Sequence, residues 1–136
     1  MVLGQDVEAS NWLIGEDIVG PELQPALRSM VEPGSANPFD DQPAKMADYV
    51  PGGDVHTNSG IPNRAFCVVA KTLGGKAWEA AGPIWYAALC DPSLPGTATF
   101  SEFAKRTLIG AERAYGRESA EVNAVKAGWE DVEVPL

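Results

Sequence analysis

Seven prolines, at positions 21, 25, 33, 38, 43, 51 and 62, crowd one stretch of the chain. Each lacks a backbone N–H and clashes with the carbonyl four residues earlier, so none can sit inside an uninterrupted helix. From Gly20 to Pro62 the chain is therefore expected to be irregular, with one short helical or extended piece around Ala26 to Met30. Loops this long in compact domains are usually functional or disordered. The same stretch divides the charge: residues 1–54 hold ten acids against Arg28 and Lys45, whereas residues 55–136 are nearly balanced, with nine acids and eight bases. At 136 residues and 45% hydrophobic content, the whole is the size of one domain. It divides into an acidic, loop-rich segment over 1–54 and a helical bundle over 55–136.

After His56 the apolar residues follow a helical period. Ile61, Ala65, Phe66, Val69, Ala70 and Leu73 mark a first helix, with Pro62 at an early position and Gly74-Gly75 as a left-handed stop. Lys76 to Leu89 is a second, with the stripe Trp78, Ala81, Trp85 and Leu89; Pro83 should kink it or split off its first turn, and Asp91-Pro92 marks its end. Thr99 and Glu102 form a capping box for a third, which carries Phe100, Phe103, Ala104, Thr107, Leu108, Ala111 and Tyr115 and closes at Gly116. Ser119 caps a fourth, with Val122, Ala124, Val125 and Trp129 as its apolar stripe. No comparable strand-like alternation follows residue 62. The fold class is mainly α, a helical bundle preceded by a long irregular Pro/Gly-rich loop region.

A formal charge of −9 opposes binding to a phosphate backbone, so no nucleic acid partner is expected. No apolar run reaches the roughly 18 residues that cross a bilayer, and Met1 to Gly20 lacks the basic-then-apolar order of a secretory signal. The chain reads as soluble, with no membrane partner. Cys67 and Cys90 lie in apolar, helix-like runs and read as buried free thiols rather than a bridge. His56 is the single histidine, and without Cys-x-x-Cys or His-x-x-x-His spacing this chain has no expected zinc site of its own.

Chemistry concentrates in the segment Gly52 to Phe66. Its glycines free the backbone to bend and present one imidazole just before a helix. In extended chain, residues two apart share a face, so Asp54 could accept from one ring nitrogen of His56 and leave the other pointing outward as a donor. That is the arrangement of an oriented oxyanion stabiliser. Read from the chemistry alone, the same pair fits a structural contact that closes a loop somewhat better. Asn58 or Ser59 is placed to cap the following helix.

Val55-His56-Thr57-Asn58-Ser59-Gly60-Ile61 resembles the Val-His-x-Asn-Ser-Gly-Ile signature of the thermolysin family of zinc neutral metallopeptidases. Further matches follow in the family's order: Trp12-Leu13-Ile14-Gly15-Glu16, Leu27-Arg28-Ser29-Met30, and Ile84-Trp85-Tyr86 within Ala81 to Leu89. The resemblance runs from about Gly4 to Val134. It implies a mainly helical C-terminal lobe forming one wall of an active-site cleft. It further implies that His56 donates a hydrogen bond to the tetrahedral intermediate, that Arg28 holds a substrate carbonyl, and that Leu27 walls the first pocket beyond the scissile bond. Asp54 joins His56 as a catalytic candidate, and Asn58 joins Leu27 and Arg28 as a substrate-binding one. Read from the residues alone, Arg28 is a surface ion-pair residue and Leu27 a packing residue.

Departures from the family pattern also carry expectations. Pro51 stands where the family has an Asp five residues before the histidine, with Asp54 as the only nearby replacement. Glu16 and Asp17 match two calcium ligands of secreted members, whereas Asn11 and Leu13 occupy positions that are acidic in a full site, so any calcium site is expected to be weak. His-Glu-x-x-His and the third zinc ligand are absent from these residues. Zinc is thus expected in an intact enzyme whose N-terminal zinc-binding lobe is the partner of this one, with a peptide or protein as substrate and secretion as the family's common fate. The chain alone is expected to be inactive, and to self-associate, as a homodimer, through apolar surface that the partner lobe would cover. The competing expectation is a non-enzymatic peptide- or protein-binding domain derived from that lobe.

Overall fold

Regular helix begins at Val55, after Pro51, and Pro62 sits in the first turn of a helix, where a missing N–H costs little. The computed structural model describes residues 5–136, so Gly4, where the resemblance begins, lies outside them. Among the described residues, two short strands, β1 (Leu13–Ile14) and β2 (Arg28–Ser29), precede α1 (Val55–Asn58), α2 (Gly60–Leu73), α3 (Ala81–Leu89), α4 (Phe100–Tyr115) and α5 (Ala120–Asp131). The expected piece around Ala26 to Met30 is the extended β2, antiparallel to β1 with Leu13 opposite Ser29 and Ile14 opposite Arg28. Single 3-10 turns at Pro21–Leu23 and Met46–Asp48 interrupt the remaining loop.

Helix boundaries follow local chemistry. α2 stops at Gly74 and Gly75, both at positive φ, where a residue without Cβ carries no steric penalty. Pro83 splits the second helix as expected: residues 77–80 form a turn and α3 starts at Ala81. Its buried residues are Ala81, Ile84 and Ala88, and Trp85 packs against the core; of the expected stripe, Ala81 and Trp85 face inward, whereas Leu89 is 63% exposed. Trp78 lies in the preceding turn, outside this helix. The capping box of α4 is present: Glu102 N–H donates to Thr99 Oγ1 at 3.3 Å, and Thr99 N–H donates to Glu102 Oε2 at 2.7 Å. For α5, Val122 N–H donates to Ser119 Oγ at 3.2 Å.

The core lies between the four longer helices and the N-terminal segment. Gly128 lets α5 close on α2, since a Cβ there would stand 2.5 Å from Val69 Cγ2 and 2.8 Å from Ala65 O. An aromatic seam crosses the bundle. Trp12 meets Phe66 edge-on, Phe66 meets Trp85 edge-on, and Trp85 stacks on Trp129 with centroids 5.6 Å apart and planes 7° from parallel. Trp129 Nε1 donates to Thr107 Oγ1 at 2.8 Å, and that hydroxyl donates to Ala104 O at 2.7 Å, so the buried polar atoms are paired.

Specific bonds stitch the loop-rich half to the bundle. Val7 N–H donates to Gly75 O at 3.0 Å, and Met46 N–H to Val132 O at 2.9 Å. Arg64 pairs with Asp131 at 2.6 Å and also donates to Val31 O at 3.2 Å. Both cysteines are free, but only Cys67 is buried; Cys90 is exposed because it follows the last helical residue of α3. Among the described residues, no helix is long and apolar enough to cross a membrane.

Candidate functional site

The imidazole of His56 rides on a single turn of helix. Gly52, at φ 70°, bends the chain, and Asp54 then caps α1. The Asp54 carboxylate accepts from the His56 backbone N–H at 2.6 Å. This corrects the expected ring contact: the segment is helical, not extended, so the acid serves the backbone of His56 and not its imidazole. His56 is exposed, and the hydrogen bonds that hold it run to its backbone. Gln42 Nε2 donates to His56 O at 2.7 Å and to Ser59 Oγ at 3.0 Å, while Ser59 Oγ donates to the same carbonyl at 2.8 Å. Ser59 is thereby engaged with α1 and makes no side-chain cap on α2.

Asn58, expected to meet substrate, has both polar ends of its side chain engaged within the chain. It is 5% exposed; its Oδ1 accepts from Val50 N–H at 3.1 Å and its Nδ2 donates to Val50 O at 3.0 Å. A residue with both polar ends on one backbone unit holds the preceding loop instead. Nor does Asn58 cap α2.

Leu27 and Arg28 lie at β2. Leu27 is 37% exposed, so it is not the packing residue that composition alone suggests. Arg28 is half-buried, and its Nη1 donates to Leu27 O at 2.9 Å. Asn37 Nδ2 fixes the same strand by donating to Ala26 O at 2.9 Å and Leu27 O at 3.3 Å. Asp40 Oδ2 accepts from the N–H groups of Gly34 and Ala36 at 3.2 and 3.1 Å, and its Oδ1 accepts from Gln42 N–H at 3.4 Å.

One loop therefore connects the Leu27–Arg28 strand to the His56 turn through Asn37, Asp40 and Gln42. The sequence reading missed all three. Their signal was available: Asn, Asp and Gln in proline-rich chain commonly hold backbone groups that no helix or sheet satisfies. Beside the His56 turn lies a mostly apolar groove of about 730 Å³, lined by Val55, Asn58 and Ser59 together with Met46, Tyr49 and Phe100.

Metal ligands are not assembled in this way. Glu16 Oε1 accepts from Asn11 Nδ2 at 2.7 Å, and Asp17 is exposed. Among the described residues no three His, Cys, Asp or Glu side chains gather as a metal site requires, so the donor set does not fit zinc and gives Glu16 and Asp17 no third carboxylate.

Residues 1–134 match the family described as the thermolysin metallopeptidase alpha-helical domain. An extracellular metalloprotease of Pectobacterium carotovorum subsp. carotovorum is 43% identical over 144 residues, covering 98% of this chain and 41% of the relative. A thermolysin of Alicyclobacillus acidocaldarius subsp. acidocaldarius is 34% identical over 132 residues, covering 91% of this chain and 24% of that protein. The solved precursor of protealysin, a metalloproteinase from Serratia proteamaculans, superposes with a TM-score of 0.89 at 44% identity, covering 98% of this chain and 44% of that one. The chain spans less than half the length of each of these relatives.

Proposed function

The chain belongs to the thermolysin metallopeptidase family, as its alpha-helical C-terminal domain, and from that premise we propose that it forms one wall of the substrate cleft of a secreted zinc metalloendopeptidase. The zinc ligands and general base belong to an N-terminal lobe of the same enzyme. His56 donates a hydrogen bond to the oxygen of a peptide carbonyl as negative charge develops on it. Arg28 holds a neighbouring substrate carbonyl, and Leu27 walls the adjoining pocket. Secretion is suggested by relatives named extracellular metalloproteases.

The observation that carries this reading is the exposed imidazole on a turn whose backbone is held at both its N–H and its carbonyl. A donor positioned before charge develops needs no reorganisation as the reaction proceeds, which is what makes such groups effective. The test joins this chain to the zinc-bearing lobe of a relative and replaces His56 with Ala. We expect kcat to fall about 10²- to 10³-fold with KM little changed. Unchanged turnover would remove His56 from the chemistry and leave a peptide-binding wall as the surviving reading.

A further inference from the structure

The strand carrying Leu27 and Arg28 and the turn carrying His56 are distant in sequence, and the loop between them contains little regular structure. We propose that Gln42 is a positioning residue for His56: its amide clamps the imidazole-bearing turn onto the same loop that fixes the Leu27–Arg28 strand.

Three observations carry the clamp. Nε2 of Gln42 makes two bonds into the turn, to His56 O and Ser59 Oγ at 2.7 and 3.0 Å. The direction of the amide is set by chemistry, because a flipped amide would turn Oε1, an acceptor, against the acceptor carbonyl of His56. That direction leaves Oε1 buried without a partner, a cost that a side chain present only for packing would avoid by being apolar. Finally, Gly60 permits the close approach: a Cβ there would stand 2.5 Å from Pro43 O and 2.9 Å from Gln42 Cβ.

The clamp has a firm base. Asp40 holds the Gln42 N–H and the turn at Gly34 and Ala36, and Asn37 in the same loop holds the carbonyls of Ala26 and Leu27. Gln42 itself is 3% exposed, so it acts through the His56 backbone and meets no substrate. The importance of this brace for turnover rests on the oxyanion role proposed for His56; its existence does not.

The experiment uses the whole 136-residue chain, in which His56 is the single histidine and gives an unambiguous pair of imidazole C–H signals in proton NMR. In the unmodified chain, the side-chain amide protons of Gln42 are expected to exchange about tenfold more slowly than those of exposed Gln5. Gln42→Met removes both donors at similar length. It is expected to cost about tenfold in exchange protection at the Asn58 and Ser59 amides, which bond to Asp54 O and Val55 O, and to sharpen the His56 ring signals. Protection in α4 and α5 is expected to persist, which separates a local brace from a general fold defect. Should Gln42→Met fail to fold, the exchange rate of the Gln42 amide in the unmodified chain decides the matter. Fast exchange there, or unchanged protection at Asn58 and Ser59 in a folded variant, overturns the clamp while leaving the peptidase reading intact. Unchanged turnover on His56→Ala in the joined enzyme does the reverse.

Discussion

Cys67 and Cys90 show how far one side chain's environment can depart from its neighbours in composition. Burial pushes the Cys67 thiol up from 9.0 to about 11, against the opposing pull of Lys71 and Arg64, whereas Cys90 is exposed beyond α3. At neutral pH a thiol-specific reagent is expected to modify Cys90 in the native chain and Cys67 only after unfolding, as mass spectrometry of the two peptides will show; rapid native labelling of Cys67 would contradict its burial. The sign of the pH effect follows. Between pH 9.0 and about 11 the folded chain keeps a proton that the unfolded chain releases, so Cys67 makes stability fall as pH rises through that window. Asp54 gives a second residue-scale lesson. A spacing of two suggested a carboxylate on the ring of His56, but that inference needed an extended backbone, and Asp54 itself starts a helix by capping it. His56 is exposed, and its backbone is braced both by the neighbouring Asp54 and Ser59 and by Gln42 from the preceding loop.

Among the secondary elements, caps and close approaches decide stability. Ser119→Ala removes the oxygen that accepts from Val122 N–H and is expected to cost about 1 kcal/mol in urea unfolding. The Thr99 amide and hydroxyl hold the Glu102 carboxyl below its ordinary value, so this cap stabilises α4 at neutral pH and weakens as pH falls through the lowered value. Gly128→Ala would press a methyl group against Val69 and the Ala65 carbonyl, and is expected to cost about 1–3 kcal/mol by overpacking. A tolerated alanine would mean that α2 and α5 can part without penalty. The helices were readable in advance because capping residues, glycine stops and a 3.6-residue period are local signals; α2, α4 and α5 kept the expected stripes apart from Tyr115, which is 37% exposed at the end of α4. The exposure of Leu89 in the last turn of α3 was not, although Ala81 and Trp85 face the core as expected. The Asn37–Asp40–Gln42 connections were also hidden, since a side chain's choice of distant backbone partner leaves no periodic trace.

The whole molecule is an acidic loop system fastened to a helical bundle at several separated points: Val7 to Gly75, Met46 to Val132, and Val31 to Arg64. It leaves Ile18, Phe39, Val55 and Leu89 exposed. Surface of this kind fits a lobe that normally lies against another. In sedimentation velocity, the chain alone is expected to self-associate as concentration rises, and addition of a zinc-bearing partner lobe is expected to shift it toward a one-to-one complex. A strictly monomeric chain indifferent to that lobe would count against the proposed pairing. The aromatic seam has another consequence. Trp85 on α3 and Trp129 on α5 lie nearly parallel at stacking distance, so their electronic transitions can couple, and near-ultraviolet circular dichroism becomes sensitive to the register of those helices. The molecule thus contains its own optical strain gauge, able to record a slip inside the bundle before any helix unwinds.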